Sequence, residues 1–143
     1  MRKIWRQPFT IEQLNALSKS TLVENLGIEF TDFGDDFLTA KMPVDHRTVQ
    51  PMRLLHGGAS VALAETLGSV ASVLCLEDSS KSMPVGVEIN ANHLSAATKG
   101  FVYGTARAFR LGRTLHVWGI DITDEAGKLI CVSRLTIAIV ANG

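Results

Sequence analysis

A single carboxylate closes an apolar stretch that follows a His-Gly-Gly tripeptide. The stretch LLHGGASVALAE spans residues 54–65 and ends at Glu65. No Lys or Arg stands three or four residues from Glu65, so a helix here supplies no ion-pair partner. An uncompensated buried charge is costly and therefore needs a reason. We interpret Glu65 as a lone carboxylate that serves a site; the plainer alternative is a solvated helix residue.

The tripeptide at residues 56–58 offers the complementary group. Backbone N–H groups at a helix N-terminus, aided by the macrodipole, polarise a carbonyl oxygen that gains negative charge. Gly57 allows a substrate to approach closely, and His56 adds a donor beside it. The alternative is a turn that the glycines merely permit, with an ordinary surface histidine.

The spacing of these groups decides how they cooperate. Gly57 and Glu65 are eight residues apart, which is about 12 Å along a helix. The glutamate side chain leans back by about 4 Å. One carbonyl still cannot lie within about 3.5 Å of both groups. We therefore predict a site shared between the two subunits of an isologous dimer.

The helix that must carry Glu65 is predicted from Gly58 to about Leu76. Small and polar residues recur on one face, where Ser69 can hold a water molecule beside the carboxylate. This face is expected to be free, while a neighbouring aliphatic stripe packs on a sheet. The small face comprises Gly58, Ala62, Glu65, Ser69 and Ser72, and the aliphatic stripe Leu63, Leu67, Val70 and Leu74.

The remaining elements predict an α+β domain over residues 1–143. Thr10 with Gln13 and Thr21 with Glu24 indicate two capped short helices. A hairpin turning at Gly34 and a long loop from Val44 precede the long helix, and four strands follow it. The first of these strands alternates, with one dry face predicted for Val85, Val87, Ile89, Ala91 and His93. An antiparallel sheet wrapped around the single long helix satisfies this order.

Composition narrows the function classes. Lys plus Arg and Asp plus Glu number 14 each, so no net field attracts nucleic acid or an anionic membrane. No apolar run reaches the roughly 18 residues of a membrane span. Cys75, Cys131, His46 and His116 are too scattered for a metal motif, and without a recognisable signal sequence we expect a cytoplasmic protein.

Four motifs in order carry a family resemblance: MPVDHRTVQP, LLHGGASVALAE, VGVEINANHL and SRLT. Together they resemble the hotdog-fold acyl-CoA thioesterases over essentially the whole chain. The nearest branch comprises three kinds of enzyme. One hydrolyses 1,4-dihydroxy-2-naphthoyl-CoA in menaquinone synthesis, one is the proofreading thioesterase of enterobactin synthesis, and one hydrolyses 4-hydroxybenzoyl-CoA. The resemblance implies a hotdog fold and a homodimer or a tetramer built from two dimers.

The resemblance also implies roles for the site residues. Glu65 is the nucleophile or general base, and the Gly57 amide polarises the thioester carbonyl. Gln50 and His56 contact the thioester, and Ser69 places water. Gln50 and Gly57 come from one subunit, and Glu65 and Ser69 from the other. No metal or redox cofactor is implied, since CoA is part of the substrate.

A neutral chain needs local cations to hold the phosphates of CoA. Arg110 and Arg113 occupy a strand-turn-strand corner suited to this, although the same pattern fits a solvated hairpin tip. The resemblance implies contacts with CoA at Gly86, His93, Leu94, Ser95, Ala96, Arg110, Leu111, Gly112, Arg113 and Thr114.

Two other functions remain open at this point. An enoyl-CoA hydratase or dehydratase would pair His56 with Glu65 on the carbon chain, and a non-catalytic acyl-CoA-binding module would need no carboxylate. We predict hydrolysis of an aromatic acyl-CoA to free acid and CoA. An aliphatic acyl group or a thioester of acyl carrier protein also fits the sequence.

Overall fold

A computed structural model describes residues 2–142, and its order of elements is the predicted one. Two short helices and a hairpin precede the long helix, and four strands follow it. The elements are α1 (Ile11–Leu17), α2 (Leu22–Asn25), β1 (Glu29–Phe33), β2 (Phe37–Pro43), α3 (Gly57–Leu74), β3 (Ser82–His93), β4 (Phe101–Leu111), β5 (Leu115–Asp124) and β6 (Leu129–Ala141).

The six strands form one antiparallel sheet in the order β1-β2-β4-β5-β6-β3. Helix α3 contacts five of them, from β2 to β3, and the main core lies between the helix and the sheet. Leu67 of α3 reaches Gly104 of β4 so closely that a Cβ there would lie 2.7 Å from Leu67 Cδ1. The absence of a side chain at residue 104 therefore lets the helix pack directly on the strand.

Helix α3 has the length and apolar composition of a membrane-spanning helix, with a mean hydropathy of 1.3 over 18 residues. Half of it is buried inside the protein, as expected for a core helix. The helix begins one residue earlier and ends two residues earlier than the sequence predicted. Its buried residues are Ala59, Ser60, Leu63, Ala64, Leu67, Gly68, Ala71, Ser72 and Leu74.

The two predicted capping boxes have different outcomes. Thr10 Oγ1 accepts from the Gln13 amide at 3.1 Å, and Gln13 Oε1 accepts from the Thr10 amide at 3.0 Å, so the first is confirmed. The second is wrong: the Thr21 hydroxyl donates to the Ser18 carbonyl at 2.6 Å instead of capping α2. The preceding turn competes for the same side chain.

Strand β3 departs from the predicted alternation at Val87. Gly86 pairs with Ile137 and Glu88 with Thr136, so β3 advances two residues while β6 advances one. Such a β-bulge shifts the alternation of side chains by one residue, so residues that would have shared a face of the sheet point to opposite faces. The prediction of one dry face from Val85 to His93 is therefore wrong, because the bulge separates Val85 from Ile89.

Candidate active site

The loop between β2 and α3 is held by a compact hydrogen-bonded turn. The Thr48 hydroxyl is buried and donates to the Pro43 carbonyl at 2.7 Å, and the Thr48 amide donates to the Asp45 carbonyl at 2.9 Å. The Arg47 guanidinium and the Arg47 amide donate to the Asp45 carboxylate and hold its pKa down, at about 2. This turn fixes the path of the loop that leads to Gln50.

Gln50 is half-buried in a tight turn that precedes α3. Its backbone amide donates to the Leu54 carbonyl at 2.9 Å, and its own carbonyl accepts from Arg53 at 2.8 Å. Side-chain Oε1 accepts from the Met52 amide. Because the oxygen is occupied in this way, the amide nitrogen of Gln50 is the end that can donate to a ligand.

His56 is the N-cap of α3, and its ring forms the capping hydrogen bond. Nδ1 accepts from the Gly58 amide at 2.8 Å, so the proton of the neutral ring lies on Nε2. The Gly57 amide is the first of the helix and has no intrahelical acceptor. Within residues 2–142 it has no other hydrogen-bond partner either. The N-terminus of α3 thus presents two free donors, Gly57 N–H and His56 Nε2–H.

His93 at the end of β3 packs against this helix N-terminus. A Cβ at residue 57 would lie 2.8 Å from His93 Nε2, so the imidazole packs directly on the glycine. The following segment is tied to the sheet, since the Leu94 and Ser95 amides donate to the Ile130 carbonyl at 2.8 and 3.3 Å. His93 therefore lies close to the donors of α3, and Leu94 and Ser95 follow it along the sheet.

Glu65 lies two turns along α3, half-buried and directly over Gly86 of β3. A Cβ at residue 86 would overlap Glu65 Oε2, so glycine leaves the space that the carboxylate fills. Within residues 2–142 the carboxylate forms no salt bridge, and no side-chain hydrogen bond reaches it. Ser69, one turn further along the helix, is half-buried as well. An unpaired carboxylate beside a strand edge is available for chemistry.

The bulge at Val87 makes this arrangement possible. Gly86 faces Glu65 and His93 faces Gly57, yet the two strand residues are seven positions apart. In a regular strand an odd separation places residues on opposite faces. The extra residue in β3 corrects the parity, so that both contacts fall on the face covered by α3.

One protomer does not bring Gly57 and Glu65 together. Both lie on the rigid helix α3, eight residues apart, which is about 12 Å along its axis. Gln50 and His56 belong to the Gly57 end, and Ser69 to the Glu65 end. The site residues thus fall into two groups on one chain, an arrangement compatible with the predicted sharing between subunits.

The small face of α3 is not free along its whole length. Ser72 is fully buried and faces β5, where its hydroxyl oxygen accepts from Trp118 Nε1 at 2.8 Å and lies 2.9 Å from His116 Nδ1. The prediction that Ser72 belongs to an open groove with Glu65 is therefore wrong. A polar network anchors this turn of the helix to the sheet.

The β4–β5 turn borders a cleft of about 700 Å³ at the C-terminal end of α3. Leu111, Gly112 and Arg113 line it, whereas Arg110 lines a separate depression. A second bulge explains the split, because Phe109 is the extra residue between the pairs Ala108 with Trp118 and Arg110 with Val117. The two arginines predicted to act together thus face different concavities.

The same cleft contains residues that the sequence analysis did not single out. Its basic side chains come from three distant parts of the chain, and no local motif unites them. Cys75 also lines it, and burial raises the pKa of this thiol to about 12, which keeps it protonated. The basic residues are Arg2, Lys3, Arg6 and Lys81, together with Arg113, which the sequence analysis had singled out.

Comparisons with known proteins give a consistent result. The family model described as thioesterase superfamily matches residues 52–131. The 1,4-dihydroxy-2-naphthoyl-CoA hydrolase of Escherichia coli is 53% identical over 136 residues, covering 95% of this chain and 98% of the relative. The proofreading thioesterase EntH of Cronobacter turicensis is also 53% identical, covering 95% of this chain and 98% of that protein. The crystal structure of a thioesterase from Haemophilus influenzae matches with a TM-score of 0.93 at 51% identity, covering 96% of this chain and 95% of that one.

The Asp45 turn predicts an acid-sensitive contribution to stability. Because the pKa of Asp45 is lowered from 3.8 to about 2, its contribution is complete above pH 4 and is lost as the pH falls towards 2. Asp45→Asn should therefore lower the free energy of unfolding by about 1 kcal/mol at pH 6, a value reduced for solvent screening, and by less at pH 2. Denaturant unfolding at both pH values measures this. Asp32→Asn controls for the loss of one exposed charge, and an equal deficit at both pH values would contradict the assignment.

Proposed function

Because the chain belongs to the thioesterase superfamily, we propose that Glu65 of one protomer and the Gly57 amide of a second protomer hydrolyse an aromatic acyl-CoA thioester. The family, the hotdog fold and the thioester hydrolase activity predicted from the sequence are confirmed. The residues, the substrate and the assembly form the proposal. The observation that carries it is the unpaired Glu65 carboxylate over Gly86, beside the open edge of β3.

The edge of β3 supports the shared site. Strand β3 is the last of the sheet and pairs with β6 on one side only. Its twelve residues leave Met83, Val85 and Val87 exposed, the last by 57%. Long apolar edge strands favour pairing with a second copy. Antiparallel pairing about a two-fold axis would bring the partner's α3 beside Glu65.

The donors at the helix N-terminus suit a developing oxyanion. The Gly57 N–H is free, and the macrodipole of the 18-residue α3 adds positive potential at the same point. The Gln50 amide nitrogen and His56 Nε2–H are oriented as further donors by their bonds to Met52 and Gly58. All of these groups favour negative charge on the thioester oxygen.

The reaction adds water across the C–S bond. Glu65 either attacks the acyl carbon and forms an anhydride that water then cleaves, or takes a proton from the attacking water. In both routes the acyl carbon gains a hydroxyl group, and CoA leaves as a thiolate that takes up a proton. Ser69 positions water beside the carboxylate. These steps use side chains and backbone alone, without a metal or redox cofactor.

CoA is proposed to reach the cleft at the C-terminal end of α3. Arg113 at the cleft would hold phosphate, with Leu111, Gly112 and Thr114 shaping the turn that presents it. His93 and residues 94–96 lie towards the opposite end of α3 and would contact the same nucleotide from a neighbouring protomer. A carrier-protein thioester presents the same pantetheine group without the nucleotide. Two free cysteines, Cys75 and Cys131, suit a reducing cytoplasm.

The outer face of the sheet supports assembly beyond the dimer. The Phe109 ring is 67% exposed and lies across Gly119, and the Arg134 guanidinium stacks on it at 5.3 Å. Large exposed aromatic residues with arginine are enriched at subunit interfaces. A tetramer built from two dimers would cover this surface.

The aromatic substrate is supported by the name of one relative. The E. coli relative is named for a naphthoyl thioester, and the same substrate here would place the chain in menaquinone synthesis.

We expect kcat/KM for benzoyl-CoA to exceed that for hexanoyl-CoA by about tenfold or more, since a ring loses fewer rotors on binding. Thiol release measures both rates. A preference for hexanoyl-CoA would reject the aromatic assignment and leave the thioesterase activity intact.

The Gly57 amide can be removed without changing the helix start. Residue 57 is the first of α3, where proline is well accepted, and His56 has the extended backbone that proline requires before it. Gly57→Pro and Gly57→Ala both place a Cβ against His93, but only proline lacks the N–H. We expect kcat/KM for benzoyl-CoA to be about 10²–10³-fold lower for proline than for alanine. Equal rates for the two variants would remove Gly57 from the oxyanion site.

Mixed oligomers test the sharing between subunits. Glu65→Gln alone should lower kcat by about 10²–10⁴-fold, with Glu12→Gln as an exposed matched control. Glu65→Gln and Gly57→Pro chains, unfolded together and refolded in equal amounts, should recover about a quarter of wild-type activity. Half of randomly paired dimers are then mixed, and each has one intact site. Activity that stays at the level of the separate variants would show that each site lies within one protomer.

A further inference from the structure

The cleft at the C-terminal end of α3 has a basic rim. Five basic and two acidic side chains line it, and Lys81 lies 3.8 Å from one of the acids, Asp78. The last carbonyl group of α3 is already bonded to the N-terminal segment. The Arg6 and Gln7 amides donate to the Leu74 carbonyl at 2.8 and 3.2 Å. The rim therefore favours an anion.

The floor of the cleft contains a buried imidazole. His116 at the start of β5 is 5% exposed and lines the cleft together with Ile139. Behind the ring, His116 Nδ1 lies 2.9 Å from Ser72 Oγ, which in turn accepts from Trp118 Nε1 at 2.8 Å. Ser72 and Trp118 are fully buried. The imidazole is thus held by Ser72, and Ser72 is held in turn by Trp118, and neither of these residues is exposed to solvent.

This network selects one tautomer of His116. An indole N–H can only donate, so the Trp118 bond occupies a lone pair of Ser72 Oγ and leaves the hydroxyl proton free. His116 Nδ1 is the acceptor available to that proton within residues 2–142. Nδ1 is therefore unprotonated, and the ring carries its proton on Nε2. Burial also lowers the pKa of His116, which favours the neutral ring.

His116 Nε2 opens on the cleft. It has no hydrogen-bond partner within residues 2–142, and in that part of the chain no fully buried side-chain nitrogen or oxygen is left unpartnered. The nitrogen is therefore reached from the cleft that the ring lines. A single N–H donor, fixed in direction, thus faces a cleft of about 700 Å³ that also contains basic side chains.

We propose that His116 Nε2–H donates a hydrogen bond to a phosphoryl oxygen bound in this cleft and thereby selects phosphate-bearing ligands, while Ser72 and Trp118 act as positioning residues. The inference rests on the proposed function, in which the nucleotide end of CoA supplies the phosphate. A free phosphate or diphosphate has the same chemistry. Arg113 and Lys81 supply charge at the rim, and His116 supplies direction, because a neutral N–H bonds only along one axis.

Two substitutions of His116 separate its two nitrogens. Asn at this position keeps an acceptor for the Ser72 hydroxyl near the place of Nδ1, and it removes the donor at Nε2. Gln extends its amide to the place of Nε2 and keeps a donor there. A role confined to packing would be disturbed by both variants, whereas a ligand contact is lost in Asn and rescued in Gln. Thermal unfolding checks that both variants fold.

Binding measurements avoid any dependence on turnover. Titration calorimetry on the intact wild-type protein and both variants uses 3′,5′-ADP, pyrophosphate and pantetheine as probes. We expect His116→Asn to weaken 3′,5′-ADP binding about tenfold or more and His116→Gln to stay within about threefold of the wild type. Pantetheine binding should not change. Arg113→Gln should weaken the phosphate probes in a salt-dependent way, with Lys128→Gln as the control outside the cleft.

The outcomes separate the sources and the hypotheses. If His116→Asn binds 3′,5′-ADP more weakly and the wild type does not bind pyrophosphate, the contact is assigned to the CoA nucleotide. If His116→Asn binds both probes more weakly, the contact is assigned to phosphate in general. Unchanged affinity in His116→Asn, loss in both His116 variants, loss of pantetheine affinity, or a wild type that binds neither phosphate probe would overturn the proposal. A protein that binds the probes as expected but hydrolyses no CoA thioester would overturn only the proposed function.

Discussion

The fit of the Glu65 carboxylate over Gly86 is the constraint on which the site depends. A charged side chain on a core helix must stay near solvent or a partner, and the strand beneath it must leave room. The bulge at Val87 satisfies both conditions, since it turns a glycine towards the helix on the edge strand. The carboxylate can then remain unpaired without being trapped in the core.

Helix α3 distributes the chemistry along its length. Its N-terminus presents donors at Gly57 and His56, its middle carries Glu65, and its C-terminus ends beside the basic cleft. The helix is rigid and largely buried, so these distances cannot adjust to a small substrate. In the proposed site the donors and the carboxylate therefore come from two copies of the helix, which pair through the open edge of β3.

Local signals were reliable where one short segment decides the outcome. The capping box at Thr10 forms as predicted because both partners lie within one turn. The similar pattern at Thr21 does not form a capping box, because the Thr21 hydroxyl donates to the Ser18 carbonyl instead. The open face assigned to α3 was correct at Glu65 and wrong at Ser72, because helical spacing identifies neighbours along the helix but not what packs against them.

The sequence by itself determined the order of elements, the antiparallel sheet around one long helix, and the unpaired carboxylate eight residues after a glycine amide. These follow from periodicity, turn residues and helical rise, which act over short distances. Only the tertiary structure decided that a bulge aligns Gly86 with Glu65, and that Ser72 fixes the ring of His116. Both depend on contacts between residues far apart in the chain, and such contacts are set by how the helix and sheet pack together.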